Sequence, residues 1–259
     1  MFYVKSVTRI SLLLMLFLFV SYASTEVKVG VVEHLGDTIP KDVHFVNEHG
    51  DTVRLGDLIK KPTVLSLVYF RCPGICSPLL DGIVDVTSRL NALKPGEDYQ
   101  LLTISFDPGD YPALASDKKK NYMKQYSTPI PDSAWIWLTG DSAAIAQITE
   151  AVGFKYVRDG KDFRHPGLLT ILSKDGKISR YLYGITFLPF DLQMAITEAA
   201  NGKVGPTISK VLAFCYSYDP EGQTYTFNFL RVMGVVTIVS LGFFVMILVI
   251  LSKKKKKEN

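Results

Sequence analysis

The stretch from Thr63 to Leu80, TVLSLVYFRCPGICSPLL, constrains the fold more than any other. It opens as an uncharged run of Val, Leu, Tyr and Phe, the pattern of a strand buried on both faces. It breaks at Arg71-Cys72-Pro73-Gly74-Ile75-Cys76. A helical pattern then follows, with Leu79, Leu80, Ile83, Val84 and Leu90 on one side. Two cysteines therefore stand where a central strand hands over to a helix. That is the exposed carboxyl edge of a sheet, where α/β folds place their chemistry.

The 259 residues, 47% of them apolar, suffice for one good core plus appendages. The net charge of +4 is unevenly spread: residues 1–23 carry +2 and residues 229–259 carry +5, which leaves −3 for residues 24–228. A mildly acidic body argues against nucleic acid as a partner.

The two ends read as membrane signals. Residues 1–23 resemble a secretory signal peptide, with Lys5 and Arg9 before the apolar Ile10–Val20 and Ser21-Tyr22-Ala23 as a small-residue cleavage pattern. Residues 229–251 are expected to form a C-terminal transmembrane helix, because Val232–Leu251 runs without a charge for about 30 Å of helix. The basic tail 252–259, with Lys253–Lys257, is then cytoplasmic by the positive-inside rule. The expectation is a single-pass protein of the cytoplasmic membrane. Its domain, residues 24–205, and a juxtamembrane tether, 206–228, face the periplasm, an oxidising compartment.

Between the ends, Pro40–Asn47 and Thr52–Leu55 read as a β-hairpin turning at Asn47–Asp51. After the helix that follows Cys76, which stops at Lys94-Pro95-Gly96, Tyr99–Phe106 is a strand and Pro112–Tyr126 a helix with Lys118, Lys119 and Lys120 as solvated surface. Ala134–Leu138 is a strand, and Asp141 caps a helix through Val152. Leu168–Leu172 and Lys177–Tyr183 pair across Lys174-Asp175-Gly176, and Pro189–Ala200 closes with a helix. Alternation predicts a parallel core and the late hairpin adds antiparallel strands. With cysteines at the start of the first core helix, this is an α/β, thioredoxin-like layout.

Cys72 and Cys76 leave three readings open: an inert disulfide, a thiol–disulfide exchange pair, or two ligands of a metal ion. On the first turn of a helix, side chains four apart share a face, close enough for a disulfide or a shared ion. The helix N-terminus and the neighbouring Arg71 favour the thiolate. Three intervening residues, rather than two, count against a plain thioredoxin motif. A metal needs a further ligand. His34, His44 and His49 read as surface or turn residues, whereas His165, in Lys161–Gly167, enters the late hairpin and falls beside the first core helix. Two thiolates and one imidazole suit copper better than a closed four-coordinate zinc site.

The chain resembles the SCO/SenC family over roughly residues 35–200. The resemblance rests on Gly36-Asp37-Thr38-Ile39-Pro40, Cys72-Pro73-Gly74-Ile75-Cys76, Ser105-Phe106-Asp107-Pro108, Leu138-Thr139-Gly140, and His165 followed by Leu169–Tyr183. It implies a thioredoxin-fold copper chaperone for cytochrome c oxidase, with Cys72, Cys76 and His165 as copper ligands. It also implies, as partners, the copper-bearing oxidase subunit and other copper chaperones. The rival expectation is a periplasmic thiol–disulfide reductase with Cys72 and Cys76 as its redox-active pair. The sequence departs from the family at Gly74, where an acidic residue is common, and at Arg164, whose charge beside His165 would oppose a cation. The third cysteine, Cys215, is read as an incidental thiol or a helper in metal transfer.

Overall fold

The computed structural model describes residues 29–205, 216–219 and 224–227, with scattered positions between 233 and 244. The strands before the cysteines are β1 (Gly30–Val31), β2 (His44–Asn47), β3 (Thr52–Arg54) and β4 (Thr63–Val68), with a one-turn helix α1 (Leu55–Leu58) after β3. Then come α2 (Cys76–Ser88), β5 (Gln100–Ser105), α3 (Pro112–Met123), β6 (Trp135–Thr139) and α4 (Ser142–Ala151). The short strands β7 (Phe154–Lys155), β8 (Val157–Asp159) and β9 (Asp162–Arg164) lead into β10 (Leu168–Leu172), β11 (Ile178–Tyr183) and α5 (Pro189–Ala200).

The main sheet has the order β11-β10-β4-β5-β6-β2-β3. β4, β5 and β6 run parallel, and β10 and β11 add an antiparallel pair beside β4. This is the expected thioredoxin-like arrangement. The N-terminal hairpin is not a separate unit, since β2 pairs antiparallel with β6 and extends the sheet. All six residues of β4 and all six of β5 are buried, so each large apolar side chain there contributes roughly 1.5–3 kcal/mol. Three of the polar groups inside, from Ser66, Thr103 and Trp135, satisfy one another as a chain. Trp135 Nε1 donates to Thr103 Oγ1 at 2.8 Å, and that hydroxyl lies 2.8 Å from Ser66 Oγ.

Helix α2 lies against the loop after β11. A Cβ on Gly82 would stand 2.0 Å from the Ile185 carbonyl oxygen and 3.5 Å from the Phe187 ring, so glycine permits the contact. Asp141 caps α4 as expected, accepting from the Ala144 amide at 2.8 Å.

Three expectations change. The helix after Cys76 ends at Ser88, short of the expected stop at Lys94-Pro95-Gly96. Lys119 is not solvated surface: it is 4% exposed, its ammonium pairs with Glu48, and it reaches Asp132 at 2.9 Å. The expected C-terminal transmembrane helix is not supported, because no helix among the described residues is long and apolar enough to cross a membrane. The described helical residues in that part of the chain lie within 233–244. The expected signal segment 1–23, the tail 252–259 and Cys215 lie outside the described residues. The expected tether contains a hairpin of two further strands, β12 (Tyr216–Asp219) and β13 (Thr224–Phe227).

Candidate metal centre

The cysteine loop leaves β4 at the carboxyl edge of the sheet. Tyr69 and Phe70 remain buried after the last strand residue, and the chain then turns, with the Cys72 amide donating to the Tyr69 carbonyl at 3.3 Å. Proline at 73 brings no amide donor of its own into this turn. Cys76 is the first residue of α2 and is 2% exposed, whereas Cys72 precedes the helix and is half-buried. The two cysteines are thus not both on the first helical turn. One lies at the helix start and the other in the loop just outside it.

A buried carboxylate pins that loop. Asp110 Oδ2 accepts from the Phe70 amide at 2.6 Å and from Ser105 Oγ at 2.6 Å, while its Oδ1 accepts from Arg71 Nε at 3.1 Å. Arg71 also lies 3.6 Å from Asp107. The sequence reading passed over Asp110. Its only signal was its place four residues after Phe106, in the turn at the end of the neighbouring strand. Arg71, expected to support the thiolate, is instead occupied by these two carboxylates.

His165 arrives from the other side. The β8–β9 hairpin carries it, stiffened by the Arg158 guanidinium 4.6 Å over the Phe163 ring and by Arg164 Nε 3.4 Å from Asp159. Arg164, the basic neighbour of His165, is therefore paired at the surface with Asp159. The imidazole is 7% exposed, against the rings of Tyr69, Phe106 and Phe154 at centroid distances of 5.8, 5.0 and 6.0 Å. Its Nδ1 lies 3.0 Å from the Pro166 carbonyl oxygen, which can only accept. Nδ1 therefore carries the hydrogen and Nε2 keeps its lone pair. Nε2 faces Cys76 Sγ at 3.3 Å.

The ligand atoms of Cys72, Cys76 and His165 all lie within 4.8 Å of one another, so the three could hold one metal ion. The two thiols are electrostatically unlike. The Cys72 thiol is pulled down to about 3, first by the hydrogen bond from Cys76 and then by the Cys76 and Gly74 amides, with burial opposing. The Gly74 amide lies 3.4 Å from its sulfur. Burial, and then the neighbouring Cys72, push the Cys76 thiol up. The two thiols are thus unequal, Cys72 the more acidic and Cys76 the less. The arrangement can capture a soft cation at Cys72 and close around it with Cys76 and His165.

A second group, Glu48, His49 and Asp132, also clusters within 4.8 Å. The Lys119 ammonium lies on Glu48 and 2.9 Å from Asp132, so a cation already fills that place and the group reads as an internal ion pair. His34, His44 and His49 contribute nothing to the cysteine site. His34 Nδ1 lies 3.0 Å from the Ala151 carbonyl, and the His49 side chain is 63% exposed.

The SCO1/SenC family matches residues 33–200. No curated protein matches the chain. Among solved structures, a protein from Aquifex aeolicus VF5 is 27% identical with a TM-score of 0.59, over 65% of this chain and 95% of that one. An SCO1/SenC family lipoprotein from Bacillus anthracis str. Ames is 19% identical with a TM-score of 0.53, over 66% of this chain and 99% of that one, a likeness of fold. ScoI of Bradyrhizobium japonicum, solved with copper bound, is 24% identical with a TM-score of 0.47, over 63% of this chain and 98% of that one. The family match covers well over half of the chain and contains both cysteines and the histidine: this protein belongs to the SCO1/SenC family.

Proposed function

We propose that the domain binds one copper ion through Cys72, Cys76 and His165 and delivers it during assembly of a respiratory cytochrome c oxidase, to the subunit that bears the dinuclear copper centre. One observation carries this reading: two sulfurs and an imidazole nitrogen with a free lone pair converge within 4.8 Å, from segments 89 residues apart. Thiolates select Cu(I), and an imidazole accepts copper in either oxidation state, so this donor set fits an ion that must be held and then released. Delivery would occur outside the cytoplasm. The half-buried Cys72 is the sulfur nearest solvent, and it would meet an incoming ligand first and release the ion last.

A second reading draws on the depressed Cys72 thiol beside a protonated Cys76, which is the polarity of a thiol–disulfide exchange pair. The two readings separate in one experiment. The reduced protein is titrated with Cu(I) and Cu(II) without oxygen, beside His165→Ala. Unit stoichiometry that His165→Ala abolishes for Cu(II) supports copper delivery. Rapid dithiol turnover that is indifferent to His165, with no stoichiometric copper, supports the reductase and removes the copper reading.

A further inference from the structure

We propose that Phe106 is the positioning residue of this metal centre, its ring holding the His165 imidazole in the orientation that turns Nε2 toward the sulfurs. The inference rests on the copper reading for its functional meaning, though not for its geometry.

The hydrogen bonding of the imidazole does not place it. Nδ1 donates to the carbonyl of Pro166, the next residue of the same loop, which fixes the tautomer but not where the ring lies against the sheet. Nε2 faces Cys76 Sγ, a contact that a shared metal ion would replace. Rings do the placing. Phe106 is the nearest of the three about the imidazole, with centroids 5.0 Å apart and planes at 65°, an edge-on approach that aromatic pairs favour.

Phe106 is itself held from the sheet. It is fully buried, it directly follows β5, and its amide donates at 2.8 Å to the carbonyl of Val68, the last residue of β4. The same turn leads to Asp110, whose carboxylate accepts from Ser105 and from the Phe70 amide. The ring thus stands on the framework that fixes the cysteine loop, and it reaches the segment that brings His165. There it meets Phe154 at 5.4 Å, Tyr156 at 4.7 Å and Phe163 at 5.4 Å, and on the cysteine side it meets Tyr69 at 5.5 Å. Phe163 lies two residues before His165. Burial alone does not call for a ring at this place, since β5 buries Leu101, Leu102 and Ile104. An aliphatic side chain of similar volume offers no flat edge to an imidazole and would leave it freer to turn. Groups that orient a metal ligand act on affinity through that ligand. Cu(II) leans on the imidazole, whereas two thiolates suffice to hold Cu(I), so the loss of Phe106 should fall on Cu(II) first.

Phe106→Leu in the full chain tests this, with Phe106→Met, also ringless and close in volume, made alongside in case the first does not fold. Copper stoichiometry should stay at the wild-type value. Affinity for Cu(II) should fall about 10–100-fold, and affinity for Cu(I) by a smaller factor. In the metal-free protein, carbon-13 relaxation of the His165 ring should show greater motion than in the wild type. Phe45→Leu is the control for lost packing: that ring is equally buried on β2, two strands from β5 in the sheet, and its loss should lower stability without either change. Equal losses for the two ions, a split that Phe45→Leu reproduces, or a His165 ring as rigid as in the wild type each overturns the proposal. If the wild-type protein binds no copper, the functional reading fails, and the ring relaxation alone decides whether Phe106 positions His165.

Discussion

His165 turns Nε2 to within 3.3 Å of Cys76 Sγ although 89 positions separate the two residues. The β8–β9 hairpin brings the imidazole there, and the Pro166 carbonyl fixes which nitrogen keeps a lone pair. Removing the imidazole should therefore cost more than the roughly 10–100-fold that loss of an outer-shell partner costs a metal site. His165→Ala is expected to lose Cu(II) binding beyond that range and to retain weak two-sulfur binding of Cu(I). Anaerobic titration against a competing chelator measures both. Equal Cu(II) affinity in the variant and the wild type would show that His165 is not a ligand.

Copper affinity should rise with pH, and the sign follows from the thiols. Cys72 is deprotonated above about 3, so at neutral pH it binds without giving up a proton. Cys76 is pushed up by burial and still holds its proton there, so it must release that proton when it becomes a ligand. One proton released means an affinity that climbs about tenfold per pH unit through the neutral range. Competition titrations at three pH values give the slope. A slope near zero would mean that Cys76 either is already ionised or does not bind.

Asp110 should matter to the site without touching it. Its carboxylate accepts from the Phe70 amide, Ser105 and Arg71, and the first two of these donors are buried. Asp110→Ala leaves them unpaired and should cost about 2–4 kcal/mol in chemical denaturation, with weaker copper binding because the loop loses its anchor. Arg71→Ala should cost under about 1 kcal/mol, since that side chain is 55% exposed and water can replace it. Similar losses for the two variants would count against Asp110 as the anchor.

The strand-to-helix edge was legible in the sequence because β4 is buried on both faces and reads as an unbroken apolar run. The third candidate ligand was legible because His165 is the one histidine in a loop at that edge. What escaped was set by tertiary pairing. Asp110 reads as a turn residue until Phe70 and Ser105 are seen to donate to it. Lys119 reads as one of three surface lysines until Glu48, 71 positions away, is seen to hold it inside. Arg164 reads as a charge beside the metal until the hairpin sets it against Asp159. The C-terminal apolar run passes a composition test for a membrane span, yet the described residues there form no helix of the required length.

Lys119 and Glu48 carry the last prediction, which concerns stability alone. Glu48 is 7% exposed and accepts both from Lys119 and from the Trp137 amide, the latter at 3.1 Å. Lys119→Ala would strand that carboxylate inside the protein with one amide donor, and breaking one side of a buried pair costs about 3–5 kcal/mol. Lys119→Met together with Glu48→Gln should recover much of the loss, because a neutral amide still serves Trp137 and no charge is left buried. Copper stoichiometry should be unchanged in the double variant, since Lys119 and Glu48 lie outside the cysteine–histidine group. Thermal unfolding of the three proteins decides the matter. A single variant as stable as the wild type would mean that the pair is solvated in solution.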